Sequence, residues 1–423
     1  MSDIRGYMSV TGAYWGFTLT DGALRMLVLL HFHHLGYTPF QLAFLFLLYE
    51  FFGVVTNLVG GWIGARFGLQ RTLYGGLILQ ILALGLLSQL NPDWPVALSV
   101  AYVVAAQGLA GIAKDLTKMS AKSGVKLVTP DDQSSTLFKW VAALTGSKNA
   151  LKGAGFFVGA FLLQVIGFTA GLLALAAGLA LVLIAVQIYL PTDLTTTQKG
   201  LPFQKVFSKD PQVNLLSGAR FFLFGARDIW FVVGVPVFLY DVLGWTFMQV
   251  GGFLAVWIIG YGFVQSIAPR IVGASADGKV QEIAAARLWA FGLAAVPALL
   301  AIILLSMMQP GGQFDAADVD MLGMIITGGL ILFGIVFAVN SSVHSYLILA
   351  FSKDHDVSLN VGFYYMSNAA GRLVGTLLSG LIYQMWGVVG CLAVAALFAA
   401  LSGAIVIQLE NQTRRLNSAA ASS

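Results

Sequence analysis

Apolar runs of about 20 residues, the length a helix needs to cross a bilayer, recur twelve times along this 423-residue chain. They lie approximately at 9–33, 39–63, 73–90, 95–114, 141–166, 168–190, 213–240, 248–269, 284–308, 321–350, 359–385 and 388–408. Within hydrocarbon only a helix or a closed barrel satisfies its own backbone groups. Segments this long predict helices. Composition agrees, because 58% of residues are hydrophobic and 10% are charged, against roughly 25% charged in a soluble domain. The expected fold class is an all-α membrane protein with twelve transmembrane helices in two pseudo-symmetric six-helix bundles.

An even number of spans puts both termini on one side. Connecting segments on that side, with the termini, hold seventeen of the 23 Lys and Arg, among them Arg66, Arg71, Lys122, Lys139, Lys205 and Arg414. Segments on the other side, including QLNPDWP and QPGGQFDAADVD, hold none. The positive-inside rule then makes the basic side cytoplasmic. A multi-pass protein of the inner (plasma) membrane with both termini in the cytoplasm is expected.

The longest basic link, PTDLTTTQKGLPFQKVFSKDPQ, separates an N-terminal six-helix bundle (1–190) from a C-terminal one (213–423), with 191–212 as cytoplasmic linker. An internal repeat supports the division. LGYTPFQL at Leu35 returns as LGWTFMQV at Leu243. In the fifth and eleventh spans, Ser147, Lys152, Gly155, Gln164 and Gly167 correspond to Ser367, Arg372, Gly375, Gln384 and Gly387. Duplicated helical halves around a central site are the layout of a secondary transporter. No GxxxxGK[ST], HExxH or GxSxG occurs, so signatures of ATP-driven pumps and of common hydrolases are missing. Cys391 is the only cysteine, which excludes a thiol framework. Neither an enzyme, a cofactor, a metal centre nor a nucleic-acid partner is expected, and the chain is read as a monomer in the lipid bilayer.

Six cations fall inside the spans: Arg25, Lys148, Lys152, Arg220, Arg227 and Arg372. Three acids stand against them, Asp21, Glu50 and Asp228, which leaves three surplus positive charges. A charge at the bilayer centre costs a few kcal/mol even on lenient scales, so these groups should face a cavity and have partners. Arg25, Lys152, Arg227 and Arg372 fall near the midpoints of spans 1, 5, 7 and 11 and suit a multiply charged oxyanion, since arginine's fork fits two oxygens and lysine adds a point charge. Tyr14, Thr18, Asp21 and Arg25 share one helical face, as do Asn360, Tyr364, Asn368 and Arg372. Asn149 adds a neutral donor beside Lys148. Lys148 and Arg220 lie nearer the cytoplasmic ends, where long cationic side chains also snorkel. Asp21 and Arg25 are one turn apart and could pair, whereas neighbours Arg227 and Asp228 diverge around the helix. Glu50 has no cation within a turn of its own helix and is a candidate proton carrier, with hydrogen bonding to another span as the alternative. His31, His33 and His34 read as interfacial polarity, and His344 as a weaker candidate for proton transfer or ligand contact.

These features resemble the major facilitator superfamily. GGWIGARFGLQR is similar to that superfamily's G-x-x-x-D-R-x-G-R-R loop at Gly61, Arg66, Gly68 and Arg71, with Ala65 in place of the acid. The stretches YWGFTLTDGALRMLVLLHFH, LLYEFFGVVTNLVGGWIGAR, GIAKDLTKMSAKS, LTGSKNALKG and LFGARDIWFVVGVPV more closely resemble the organoarsenical efflux permeases of the ArsJ family, essentially end to end. That resemblance implies export of 1-arseno-3-phosphoglycerate, arsenate resistance, and a functional link to glyceraldehyde-3-phosphate dehydrogenase, which makes the compound. Its substrate has two anionic ends, which suits several cations. Arg25 and Arg227 resemble the paired arginines of sugar-phosphate antiporters. The alternative is an exchanger of glycolytic three-carbon phosphates for inorganic phosphate.

Overall fold

The computed structural model describes residues 2–67, 69–126, 134–190, 210–272, 280–310, 313–351 and 357–421. Gly68, Lys199, Lys205, Lys209, Lys279, Lys353 and most of the expected linker lie outside the described residues. The helices are α1 (Ser2–His34), α2 (Pro39–Leu45), α3 (Leu47–Phe67), α4 (Leu69–Leu87), α5 (Val96–Lys126), α6 (Ser134–Ile166), α7 (Phe168–Tyr189), α8 (Pro211–Phe231), α9 (Gly234–Asp241), α10 (Phe247–Val272), α11 (Val280–Met307), α12 (Val319–Phe351) and α13 (Val357–Ala421).

Among the described residues, ten stretches are long and apolar enough to cross a membrane. One of them, Asn360–Ser418, is interrupted at Gly387 (φ 60°) and makes two spans. α1, 33 residues long and carrying Asp21 and Arg25, supplies the remaining span of the twelve-helix architecture. α2 with α3, and α8 with α9, each form one span with an interruption. The second interruption is satisfied locally, because Ser379 Oγ accepts from Val233 N and Gly234 N at 3.2 and 3.1 Å. Burial separates core from lipid-facing helices: 83% of the Pro211–Asp241 window is buried but only 28% of the Phe168–Tyr189 window. α7 accordingly leaves Leu181, Ile184 and Ile188 exposed, as expected of a surface made for lipid.

The chain forms two compact units, one of 1–37, 44–203 and 246–262, the other of 38–43, 204–245 and 263–423. The sequence repeat is written into each. In the first unit, Thr246 and Gln249 form a reciprocal capping pair: Thr246 N donates to Gln249 Oε1 at 2.8 Å and Gln249 N to Thr246 Oγ1 at 3.3 Å. Met248 N then donates to Gln164 Oε1 at 3.2 Å. In the second unit, Thr38 and Gln41 cap reciprocally at 2.9 and 3.3 Å, and Phe40 N donates to Gln384 Oε1 at 3.3 Å. Each device ties down N–H groups that a helix start would otherwise leave unpaired. Positive-φ residues follow the same duplication: Gly36 and Gly244, and Gly167 and Gly387, are the four among the described residues. A side chain at any of them would meet the left-handed penalty.

Glycines also set helix spacing in both units. A Cβ on Gly155 or Gly159 of α6 would collide with Leu19 O or Ala23 O of α1. A Cβ on Gly371 or Gly375 of α13 would collide with Phe221 O or Gly225 O of α8. Small residues thus allow the charge-bearing helices to approach backbone to backbone, the usual role of such residues between membrane helices.

Candidate functional site

In the first unit the charges of α1 are partnered by α3. Arg25 Nη2 meets Glu50 Oε1 at 3.1 Å, with 10% of the arginine side chain and 1% of the glutamate exposed. Asp21 is engaged separately, accepting from the Tyr49 hydroxyl at 2.7 Å. The intrahelical pair that the spacing of Asp21 and Arg25 allows therefore gives way to pairings across helices. Two successive residues of α3 divide the work, since Tyr49 takes the aspartate and Glu50 takes the arginine. The Arg25 guanidinium also lies 5.0 Å from the Phe46 ring centroid and 5.7 Å from that of Tyr49. These rings place negative π-faces near the cation.

α5 continues to Lys126, well beyond the expected span end at 114, which brings Lys114, Asp115 and Lys118 onto the helix. Lys114 Nζ lies 3.9 Å from the Tyr49 ring centroid. Asp115, 1% exposed, accepts from Thr56 Oγ1 and meets Lys118 Nζ at 3.5 Å, while Lys118 also donates to Asn57 Oδ1 at 2.8 Å. Tyr49 and Asp115 are the residues the sequence reading missed here. The i, i+3 spacing of Asp115 and Lys118 was the available signal.

On α6, Lys152 packs its backbone carbonyl where a Cβ on Gly22 would stand 2.7 Å away, and its ammonium lies 5.8 Å from the Phe156 ring centroid. Lys148 and Asn149 are half-buried one turn earlier. Tyr14 packs with Val10, Phe17 and Leu179 in an apolar cluster. His31 stacks on Phe168 with centroids 3.9 Å apart, and His34 meets Phe247 edge-on at 5.8 Å.

In the second unit, Asp228 is the shared partner of two arginines. Arg227 Nε donates to its Oδ1 at 2.6 Å, and Arg372 Nε to its Oδ2 at 3.3 Å. Adjacent residues Arg227 and Asp228 were expected to diverge; the long arginine side chain instead folds back to its neighbour. Asp228 is 1% exposed, whereas 17% and 18% of the two arginine side chains remain exposed. One carboxylate between two guanidiniums leaves a net positive group, and its cationic members are the accessible ones. The Arg227 guanidinium lies 4.9 Å from the Phe224 ring centroid and 5.4 Å from that of Phe337. Asn368 is on the same helix as Arg372, one turn before it, and its Oδ1 is buried without a hydrogen-bond partner. Tyr364 is fully buried beside Arg220, 5.0 Å from ring centroid to guanidinium carbon.

Two acids outside the expected set are also buried, Glu282 at 4% and Glu410 at 3% exposure. Glu410 joins Arg287 at 2.7 Å and Arg414 at 2.6 Å. That network ties the end of α13 to α11 and accounts for two of the cations assigned to the cytoplasmic side.

Residues 9–341 match the Major Facilitator Superfamily. The chain belongs to that superfamily and is a membrane transporter. Its fold is similar to a solved structure described as a proton-dependent oligopeptide transporter, with a TM-score of 0.71 and 12% identity over 97% of this chain and 100% of that one. It is also similar to a POT family transporter solved with a thioalcohol-conjugated peptide, with a TM-score of 0.70 and 13% identity over 96% of each chain. At such identities the likeness concerns the fold alone. No curated protein matches the sequence.

Proposed function

We propose that this transporter exports an organoarsenical oxyanion, 1-arseno-3-phosphoglycerate, from the cytoplasm by alternating access, and so confers arsenate resistance. The observation that carries the reading is the Arg227–Asp228–Arg372 group, in which a buried carboxylate occupies a place between two partly exposed guanidiniums. An arsenate or phosphate head offers the same oxygens in the same fork geometry and can replace the carboxylate. In the other unit, Arg25 with Glu50 offers a second arginine–carboxylate exchange. Lys152, Lys148 and Asn149 supply further cationic and neutral contacts, and Asp21, Glu50 and Asp228 hold the arginines or accept protons when substrate displaces them.

The sole thiol supports a pentavalent rather than a trivalent arsenical. Cys391 is fully buried, with its Sγ 3.6 Å from Ser379 O. Trivalent arsenic seeks accessible thiols, whereas an arsenate ester behaves as a phosphate. The precursor would come from glyceraldehyde-3-phosphate dehydrogenase acting on arsenate. The same oxyanion chemistry also fits a second reading, exchange of a glycolytic three-carbon phosphate for inorganic phosphate.

Everted membrane vesicles offered labelled arsenylated or ordinary 3-phosphoglycerate test both readings. Export of the arsenylated compound predicts uptake of that ester, abolished in Arg25→Ala and Arg227→Ala proteins present at normal levels. Uptake of 3-phosphoglycerate strictly dependent on phosphate inside the vesicle would instead establish the exchanger. Retained protection of cells from arsenate by both arginine variants would end the site assignment.

A further inference from the structure

A second arginine on α8 sits in a different environment. Arg220 is 3% exposed, and among the described residues no carboxylate lies within ion-pair distance of it. Its Nη1 donates to Ser341 O and Ser341 Oγ at 3.0 and 3.1 Å, which leaves Nε–H buried and unsatisfied. The guanidinium is flanked by Phe224 and Tyr364, with centroids at 4.1 and 5.0 Å. Ser341 belongs to a short run on α12 whose polar members are all inaccessible: Asn340, Ser341 and His344 are 0% exposed. Both side-chain heteroatoms of Asn340 and both ring nitrogens of His344 lack hydrogen-bond partners. Asn340 and His344 are four residues apart and share a helix face with one turn between them. His344 follows Ser341, the acceptor of Arg220, by three residues, about one helical turn.

Flanking rings explain how an arginine packs here. They do not explain the amide and the imidazole that flank Ser341 on α12, both buried without partners. Buried polar groups are nearly always satisfied, and those left over call for a ligand, an ion or water. The donors available are the guanidinium Nε–H, the Asn340 NH2 and one N–H of the His344 ring, while Asn340 Oδ1 and the second ring nitrogen accept and would meet the protonated oxygen of a hydrogen phosphate. No acid competes. Such a set selects an anion with several acceptor oxygens over a spherical halide, since an oxyanion can take a separate hydrogen bond from each donor.

We propose that Arg220, Asn340 and His344 enclose a second oxyanion site in the C-terminal unit, taking a phosphate-class group distinct from the one held at Arg227 and Arg372. The Phe224 ring is shared by both arginines, its centroid 4.1 Å from the Arg220 guanidinium carbon and 4.9 Å from that of Arg227. Arg220 and Arg227 are seven residues apart, about 10 Å along a helix. The site therefore offers an occluded step two turns from the accessible arginines, for free phosphate or for the phosphoryl end of a larger substrate. It stands independently of the organoarsenical reading, because any phosphate-class anion meets its chemistry.

The test uses full-length protein purified in detergent and follows its thermal unfolding against inorganic phosphate, 3-phosphoglycerate and chloride at constant ionic strength. In an Arg227→Gln/Arg372→Gln background, which removes both guanidiniums of the other site, phosphate should still raise the unfolding midpoint and chloride should not. Adding Asn340→Leu should weaken the phosphate effect by about tenfold or more in apparent Kd, the size of one charge-assisted contact. Without phosphate, Asn340→Leu should leave the midpoint unchanged or higher, because an orphan amide is gone; a purely structural asparagine would lower it. Phosphate and 3-phosphoglycerate acting equally identify the site as one for the free anion, and 3-phosphoglycerate acting alone makes it a substrate subsite. No midpoint shift with either anion in Arg227→Gln/Arg372→Gln, or a full shift surviving both Asn340→Leu and His344→Leu, overturns the proposal. Transport by Arg227→Gln reports separately on the function proposed above.

Discussion

Arg25 shows how far residue spacing reaches and where it stops. Its position four residues after Asp21 correctly puts both on one side of α1, but spacing along one helix is blind to what a second helix presents. Here Tyr49 and Glu50 of α3 arrive together, and the hydroxyl takes Asp21 at 2.7 Å while the carboxylate takes Arg25 at 3.1 Å. Likewise, adjacency suggested divergence for Arg227 and Asp228, although arginine's length lets it curl back. The identities of the charged residues were legible, and their pairings were set by tertiary contact. Breaking a buried pair from one side strands the other charge at about 3–5 kcal/mol, whereas removing both is often far milder. Glu50→Leu should therefore lower the unfolding midpoint in detergent strongly, and Arg25→Met/Glu50→Leu should recover much of that loss while remaining inactive in vesicle uptake. A double variant no more stable than Glu50→Leu would show that the pair contributes through packing rather than charge.

At the scale of helices, the repeat read from the sequence has a physical counterpart in matching contacts. Gln164 and Gln384, paired by alignment, accept from Met248 N and Phe40 N at 3.2 and 3.3 Å. Gly155 and Gly375 likewise each sit on the backbone of a charge-bearing helix. This level was legible because helix starts and close helix contacts demand particular residues. Helix ends were less so: Lys114 and Lys118 mark the edge of an apolar run, yet α5 continues past them because a helix can leave the hydrocarbon intact. Gly375 links spacing to the site. A Cβ there would stand 2.8 Å from Gly225 O and 3.0 Å from Asp228 Cβ. Gly375→Ala should therefore push α8 from α13, cost about 1–3 kcal/mol as other overpacked contacts do, and disturb Asp228 between its arginines. Reduced uptake with a lowered unfolding midpoint is expected, and a more severe loss for Gly375→Val. The same substitution at Gly260, where a Cβ meets nothing within 4 Å, serves as the control and should be tolerated.

For the whole molecule, the twelve-helix class was readable because a bilayer allows few solutions for a backbone without water. Substrate and coupling are set instead by a handful of side chains, and the solved folds at 12% and 13% identity are silent on them. The proposed exchange makes coupling a matter of charge conservation. In either unit, an oxyanion that took Arg25 or Arg227 would displace that arginine's partner, Glu50 or Asp228, each 1% exposed. A carboxylate that loses its arginine partner in a buried position needs another compensating positive charge, so substrate binding and proton uptake should be linked on these acids. Protons taken up with the substrate would then leave the cytoplasm with it. In everted vesicles, a medium more acidic than the interior should accelerate uptake, and a protonophore should abolish that acceleration. Glu50→Gln and Asp228→Asn, which imitate the protonated acids, should still exchange labelled substrate for unlabelled substrate across the membrane but no longer concentrate it. Concentrative uptake that ignores the pH gradient would remove these acids as proton carriers and leave them as fixed partners of their arginines.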